Sequence, residues 1–341
     1  MVKFLNPGRY VLAGVFAATV ASVVVGAEPV TIDNFAEKET HAMMHGMMQI
    51  TGGIGEVFHQ PVVTPLDRQP VVRSNVDTLY TAVIVDLSSP VTINMPDTDG
   101  RYQTLLVVNE GHYAPIVYSE AGEYVLTEEI AGSRYASLIG RTMVNIVNDG
   151  DLDKARIAQN AMTFTQADKG NLEDLPVPDM DTLIPIRENL RALGENHTDY
   201  IYTYGKNAED VNMVHHLIGT AIAWGGWAAD NATYVQGTPE HNDGETAYSI
   251  TLNDVPVADD AFWSVTVYNE EGFLSTETGS HVINSQSAVP NGDGSVTVNF
   301  TNDTSVENSI EILDGWNYLI RLYKPTPAYF AGEWTVPVAT K

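Results

Sequence analysis

Thr78-Leu-Tyr-Thr-Ala-Val-Ile-Val-Asp86, followed after a short break by Val91-Thr-Ile-Asn-Met95, is the stretch that decides the fold. β-branched and aromatic residues dominate it, and these suit a pleated, half-buried surface better than a helix. Pro96 closes the second run, and Asp97-Thr-Asp-Gly100 reads as a turn. Tyr102 to Asn109, Tyr113 to Tyr118, Glu123 to Glu128 and Arg141 to Val147 predict further strands. Short strands at near-regular spacing, separated by turn residues, make a sandwich or jelly roll.

The β pattern breaks at Asp151 and returns near Tyr248. Leu152, Ala155, Ala158 and Met162 recur at helical spacing, so Asp151 to Phe164 predicts a helix. Residues 166–185 are rich in Asp, Glu and Pro and read as an exposed acidic linker or long surface loop. Helices are expected over 185–194 and 206–232, the second carrying Trp224 and Trp227 on one face. Tyr248 to Leu252, Phe262 to Tyr268, Ser295 to Phe300 and Tyr318 to Tyr323 predict a second set of strands. In Ser295-Val-Thr-Val-Asn-Phe300 the alternation turns Val296, Val298 and Phe300 inward. Asn291-Gly-Asp-Gly294 reads as a hairpin turn. The fold class expected is mainly β, with two jelly-roll-like antiparallel β-sandwich domains joined by a helical connection.

At 341 residues the chain has room for two domains or one large β domain. Hydrophobic residues make up 44%, enough for packed cores. The 44 Asp and Glu against 17 Lys and Arg give a net charge of −27. That balance argues against nucleic-acid partners and against docking on anionic lipid, both of which need clustered positive charge. The absence of Cys excludes disulfides, thiolate metal sites, cysteine nucleophiles and a lipoprotein anchor. At the N-terminus, Lys3 and Arg9 precede the apolar run Val11 to Val25, and Val25-Gly26-Ala27 supplies small residues for cleavage. This is the layout of a signal peptide cleaved after Ala27, and the run is short for a membrane span. The expected product is an acidic periplasmic or secreted protein, with no stable membrane insertion. The alternative is an uncleaved anchor helix. The expected organisation is a signal peptide over 1–27, a helical or irregular segment over 28–70, a β domain over 71–165, the acidic linker and helical region over 166–240, and a second β domain over 241–341.

Several motifs carry a resemblance. Arg73-Ser-Asn-Val-Asp-Thr-Leu-Tyr80, then Asp86-Leu-Ser88, then Pro96-Asp-Thr-Asp-Gly-Arg-Tyr102 resemble the bacterial domain of unknown function 1254 (DUF1254). Asp260-Ala-Phe-Trp-Ser-Val-Thr-Val-Tyr268, Asn291-Gly-Asp-Gly-Ser295 and Arg321-Leu-Tyr-Lys-Pro325 are similar to its usual partner, the domain of unknown function 1214 (DUF1214). The resemblance implies β-rich, jelly-roll-like domains with helices alongside, and it accommodates a homo-oligomer. It implies no reaction and brings no catalytic residues with it.

Two constellations and one cluster hold the candidate chemistry. Asp77, Tyr80, Arg101 and Tyr102 combine charge and aromatic groups near strand ends, where an Arg can fork onto a ligand carboxylate. The plainer reading is an Asp77–Arg101 ion pair with aromatic packing around it. Trp263, Tyr268, Arg321 and Tyr323 pose the same choice in the second domain. Arg321 and Tyr323 share a strand face, so they form either an aromatic–cation platform for a sugar or small organic ligand, or a buried strand pair. His41, Met44, His45 and Met48 recur at helical spacing, and imidazole with thioether suits copper(I). Otherwise the methionines fill an irregular core and no cofactor is involved. Asp149, Asp151 and Asp153 resemble the start of a calcium loop, but Lys154 and Asn160 stand where the loop wants Gly and Glu, and helix N-terminal acids explain them better. His215 and His216 are adjacent and cannot make a zinc helix pair. The leading expectation is a non-enzymatic binding or assembly protein. The alternatives are an enzyme on a carbohydrate or small organic ligand with acid–base groups drawn from Asp77, Tyr80 and Arg101, and a copper-handling protein.

Overall fold

A computed structural model describes residues 27–67, 69, 72–148, 150–194 and 200–341 of the chain. The leader read over residues 1–27 lies, apart from Ala27, outside the described residues, as does Asp149. Among the described residues no helix is long and apolar enough to cross a membrane.

The N-terminal half runs α1 (Phe35–Thr51), β1 (Phe58–His59), β2 (Thr78–Asp86), β3 (Val91–Met95), β4 (Gln103–Asn109), β5 (Ile116–Tyr118), β6 (Gly122–Leu126), α2 (Glu128–Ala131), β7 (Tyr135–Met143), α3 (Asp151–Asn160) and β8 (Thr163–Gln166). Strands β1-β2-β7-β4-β5 form one sheet and β6-β3-β8 a second, all paired antiparallel. Because side chains alternate along a strand, Val83 and Val85 of β2 share a face with Leu105, Val107, Ala136 and Leu138. That face packs on Val91, Ile93 and Met95 of the other sheet and closes the first sandwich. Next come α4 (Met180–Gly194) and α5 (Met213–Ile222). They bury Leu183, Leu190, Ile218 and Ala221 against Phe35 of α1.

The C-terminal half contains β9 (Ala232–Gly237), β10 (Tyr248–Leu252), β11 (Trp263–Tyr268), β12 (Val282–Asn284), β13 (Val296–Phe300), β14 (Ser309–Ile310), β15 (Asn317–Tyr323) and α6 (Pro327–Phe330). The sheets β12-β11-β15-β9 and β10-β13-β14 face each other. Trp263, Val265, Val298, Phe300, Trp316, Ile320 and Leu322 fill the space between them. Among the strand pairs of the described residues, the short β13–β14 contact alone is parallel. The chain is therefore mainly β, in two antiparallel sandwich-like halves with helices alongside.

The second faces of the two large sheets make the seam between the halves. Tyr80, Ala82 and Ile84 of β2 point away from the first sandwich core, as do Ser137, Ile139 and Arg141 of β7, which lie opposite them in register. Ser264, Thr266 and Tyr268 of β11 and Arg321 and Tyr323 of β15 point away from the second core. Tyr102, Leu106, Val108 and Met143 from one half pack with Trp227, Phe262 and Tyr323 from the other.

Three local expectations change. The strand expected over 141–147 is β7, which begins at Tyr135 and ends at Met143. Gly140 sits mid-strand, at a position where a Cβ would meet the Thr81 Cβ at 2.9 Å. The acidic stretch 166–185 is mostly exposed and is fastened to the first half at points: Gln166 donates to the carbonyls of Asp86 and Ser89, and Leu175 is buried. Helix α5 stops at Ile222 and the chain turns at Gly225, whose φ is 77°, so Trp224 and Trp227 flank a turn instead of sharing a helix face. Asn291 to Gly294 does turn, with the Gly294 amide donating to the Asn291 carbonyl, but it joins no hairpin: β12 pairs with β11, and β13 with β10.

Candidate functional site

Arg141 is the centre of the most unusual surroundings in the seam. The sheet register sets it opposite Tyr80 on β2 and Thr104 on β4. Its guanidinium carbon lies 4.6 Å from the Trp227 ring centre and 5.5 Å from that of Tyr80. Tyr102 and Tyr323 close the cage through Phe262, which stacks on Tyr323 at 4.3 Å and meets Tyr102 edge-on at 5.1 Å. Tyr234, from β9, also lies within electrostatic reach of the guanidinium. Burial works against the Arg141 charge, and the surrounding phenols outweigh it and hold the guanidinium protonated. Phenols are neutral at neutral pH, so they offer ring faces and dipoles but no countercharge.

The polar atoms of this cage are not satisfied by one another. Arg141 Nε and Trp227 Nε1 are buried without a hydrogen-bond partner, and the Tyr102 hydroxyl and Thr104 Oγ1, near enough to influence one another, make no hydrogen bond of good geometry. Ser137 Oγ, further along the same face of β7, is in the same condition. The Arg141 side chain makes no ion pair and no hydrogen bond among the described residues. Buried polar groups in folded proteins are overwhelmingly paired, so a cluster of exceptions on one wall calls for an explanation. Burial pushes the Tyr102 phenol up to about 12, against the opposing influence of Thr104 and Arg141. Tyr323 is pushed up in the same way, while its hydroxyl accepts from Asn75 Nδ2 at 2.6 Å. Neither phenol is suited to act as a base near neutral pH.

An opening lies next to the cage. Met47 and Ile50 of α1, with Phe58, Gln60, Tyr80 and Ala82 of the sheet edge, line a groove of about 150 Å³. Its surface is almost wholly apolar, and Tyr80 belongs to both groove and cage. A larger hollow of about 430 Å³ lies on the outer rim of the second sandwich, between Thr251, Asn253, Asp254, Glu333 and Trp334. It is broad and polar, and its Trp334 indole already donates to the Asn253 carbonyl.

A second buried constellation occupies the same seam. Asp77 accepts from Asn284 Nδ2 at 2.9 Å across the two halves. Arg321 donates to Thr266 Oγ1 and to the Arg73 carbonyl, both at 2.8 Å, and to the Tyr268 hydroxyl. Tyr268 in turn donates to the Ser74 carbonyl at 2.8 Å, and Arg73 stacks on its ring. Asp77, Tyr268, Asn284 and Arg321 are all buried. Burial raises the Asp77 pKa, and the Arg321 charge and the Asn284 hydrogen bond only partly oppose this. The group is sealed from solvent and ties the halves together.

The sequence candidates therefore sort into four places. Tyr80, Tyr102 and Tyr323 line the Arg141 cage. Asp77, Tyr268 and Arg321 meet in the sealed tie. Trp263 packs into the second core, on the opposite face from Arg321. Arg101 stands apart: it forks onto Asp151 at 2.6 and 2.9 Å, so the pairing with Asp77 is not made. The cage residues that sequence reasoning missed are Arg141, Thr104, Trp227 and Tyr234. Arg141 lay at the start of an expected strand whose register was displaced, and only the pairing of β7 with β2 reveals its neighbours.

The Met/His helix is engaged in packing. Met44 and Met48 are buried with Ile54, Ile84, Tyr135 and Leu175. His41 pairs with Glu110 Oε1 at 2.8 Å, and His45 lies 3.1 Å from the Pro176 carbonyl. Among the described residues no group of three or more His, Asp or Glu side chains is placed to hold a metal. Asp151, counted as a calcium-loop acid, receives Arg101 and the Asn145 amide.

Comparison with known proteins follows the same division. Residues 54–166 match the family described as "Protein of unknown function (DUF1254)", and residues 230–327 the one described as "Protein of unknown function (DUF1214)". The fold is similar to the VPA0106 protein from Vibrio parahaemolyticus, with a TM-score of 0.69 at 17% identity over 91% of this chain and 97% of that one. It is also similar to an uncharacterized protein from Burkholderia cenocepacia, with a TM-score of 0.54 at 14% identity over 89% and 87% of the two chains. No curated protein matches the chain.

Proposed function

For this two-domain protein, a DUF1254 domain followed by a DUF1214 domain, we propose a non-enzymatic role: an exported protein that binds a small organic ligand at the seam of its two halves, in the cage around Arg141. The observation that carries the reading is the convergence of Arg141 Nε, the Tyr102 hydroxyl, Thr104 Oγ1 and Trp227 Nε1, all buried and without a hydrogen bond of good geometry, on one wall. Such groups cost about 1–3 kcal/mol each when left unmade, and a bound molecule that pairs them recovers that cost. Aromatic walls with a few convergent polar groups are what small-molecule sites generally look like. Binding is favoured over catalysis because the groups at the cage are phenols, a hydroxyl, an indole and a guanidinium. Asp77 is sealed in the tie, and Arg101 is held by Asp151. Export rests on the leader-like sequence ending at Ala27.

The test is calorimetry and Trp fluorescence of the purified chain against sugars, organic acids and small aromatic compounds. A ligand of this site loses affinity in Trp227→Phe and Thr104→Val, which remove one polar atom each. Binding that neither variant disturbs places the ligand elsewhere, and a panel without any binder removes the proposal. N-terminal sequencing of the exported protein tests the leader: an N-terminus at Glu28 supports it, and an intact Met1 in the cell removes it.

A further inference from the structure

Charge and shape at this site restrict what can occupy it, and the restriction rests on the binding role proposed above. Arg141 brings a full positive charge into an aromatic cage, and no carboxylate pairs with it among the described residues. The surrounding chain is strongly acidic, at a net charge of −27. Elsewhere Arg134 pairs with Asp86 and Asp174, Arg187 with Glu39 and Arg101 with Asp151, while the seam's Arg321 has three neutral acceptors in place of a carboxylate. A guanidinium left without a countercharge in such an acidic protein is a place for an anion from outside.

The groove beside the cage adds the second half of the argument. Met47, Ile50, Phe58 and Ala82 give it apolar walls, and Tyr80, over whose ring Arg141 lies, is the lining residue that it shares with the cage. Its volume of about 150 Å³ is that of a cavity able to hold one benzene-sized group. A dianion such as phosphate would leave this groove unfilled. A sugar would bring hydroxyls to walls that cannot bond them.

We propose that the site takes a monocarboxylate with a small apolar body, its carboxylate on the Arg141 guanidinium and its ring or short chain in the groove between α1 and β2. The guanidinium fork matches a carboxylate in geometry as well as charge. Thr104 and Trp227 offer further donors at the same end, and the thioether of Met47 lets the groove adapt to bodies of differing shape.

The experiment compares charged and neutral partners of one shape on the full chain: benzoate with benzamide, 3-phenylpropionate with 3-phenylpropanol, and hexanoate with hexanol, with inorganic phosphate as the anion that has no apolar body. Calorimetry is expected to show the carboxylates binding roughly 10- to 100-fold tighter than their neutral partners, the range of a hydrogen-bonded charge, and phosphate binding poorly. Arg141→Met removes that difference, and Arg141→Lys restores part of it. Ile50→Asp, at a position 64% exposed and therefore harmless to the fold, weakens every carboxylate by placing a like charge at the mouth. Equal affinity of charged and neutral partners overturns the carboxylate assignment while leaving a cage that binds small molecules. Tight phosphate binding overturns the apolar body. Failure of all the probes, together with the failure of the broader panel above, removes the binding role itself. The comparison of partners on the unaltered chain decides the matter even where Arg141→Met does not fold.

Discussion

Asp86, at the end of β2, makes a measurable link between pH and stability. Its side chain is fully buried, and Arg134 grips it with two hydrogen bonds at 2.8 and 2.9 Å. The Ser88 amide donates to it at 3.0 Å. Burial alone would raise the carboxyl, but Arg134 and the Ser88 and Asn171 amides outweigh it and hold it at about 2. The unfolded chain releases this proton near pH 4. Because the folded carboxyl is the stronger acid, the unfolded state binds more protons between those two values. The stabilisation is therefore complete above about pH 4, falls as pH drops toward 2, and is gone below it. A difference of about two pH units corresponds to roughly 2.5 kcal/mol. Asp86→Asn keeps the shape, removes the titration, and leaves Arg134 38% exposed and able to rehydrate. Urea unfolding followed by circular dichroism should show the variant less stable by about 2–3 kcal/mol at pH 7, with the gap closing to near zero by pH 2. Other carboxylates held low in the folded chain, such as Glu110 and Asp151, titrate in both proteins and cancel in the difference. A gap that stays constant with pH, or widens in acid, refutes the reasoning.

Asp77→Ala deletes the acceptor of Asn284 Nδ2 in the sealed tie, and chemical denaturation should show a loss of about 1–3 kcal/mol; Asp77→Asn should lose less, since burial already disfavours the charge. Gly140→Val forces a branched side chain against Thr81 and Met162, and a drop of about 1–3 kcal/mol by the same assay is expected from overpacking.

What the sequence made legible was what alternation alone determines. Val296, Val298 and Phe300 turn inward on β13 as their period requires, and Phe300 meets Trp316 at 4.9 Å in the second core. β7 was less legible because Gly140 is there for a close approach to β2, which only the neighbouring strand explains. β9 was hidden behind a helix pattern that ends at the Gly225 turn. The pairing of charges was hidden for a different reason. Asp77 finds Asn284 at a separation of 207 residues, and nothing local in either segment points to the other. Arg101, the basic residue expected to pair with Asp77, is captured by the first turn of α3 through Asp151. Chemistry-bearing residues could be picked from the motifs, but their partners follow from how two sheets turn their second faces toward each other.

The two arginines of the seam show why the Arg141 cage reads as a site and not as loose packing. Both reach inward from the central strands of their sheets, and both are surrounded by tyrosines. Arg321 receives full treatment: a threonine hydroxyl, a backbone carbonyl and a phenol accept from it. Arg141, in the same seam, receives ring faces and no acceptor. Arg321 is buried, whereas Arg141 is half-buried and only its Nε is cut off from both solvent and acceptors, so its outer N–H groups stay open to an acceptor from outside the chain. The groove lies on the side of Arg141, through Tyr80, and Asp77, Tyr268, Asn284 and Arg321 of the tie are buried. The asymmetry follows if the tie holds the two halves in register and the cage it positions takes its acceptor from a ligand.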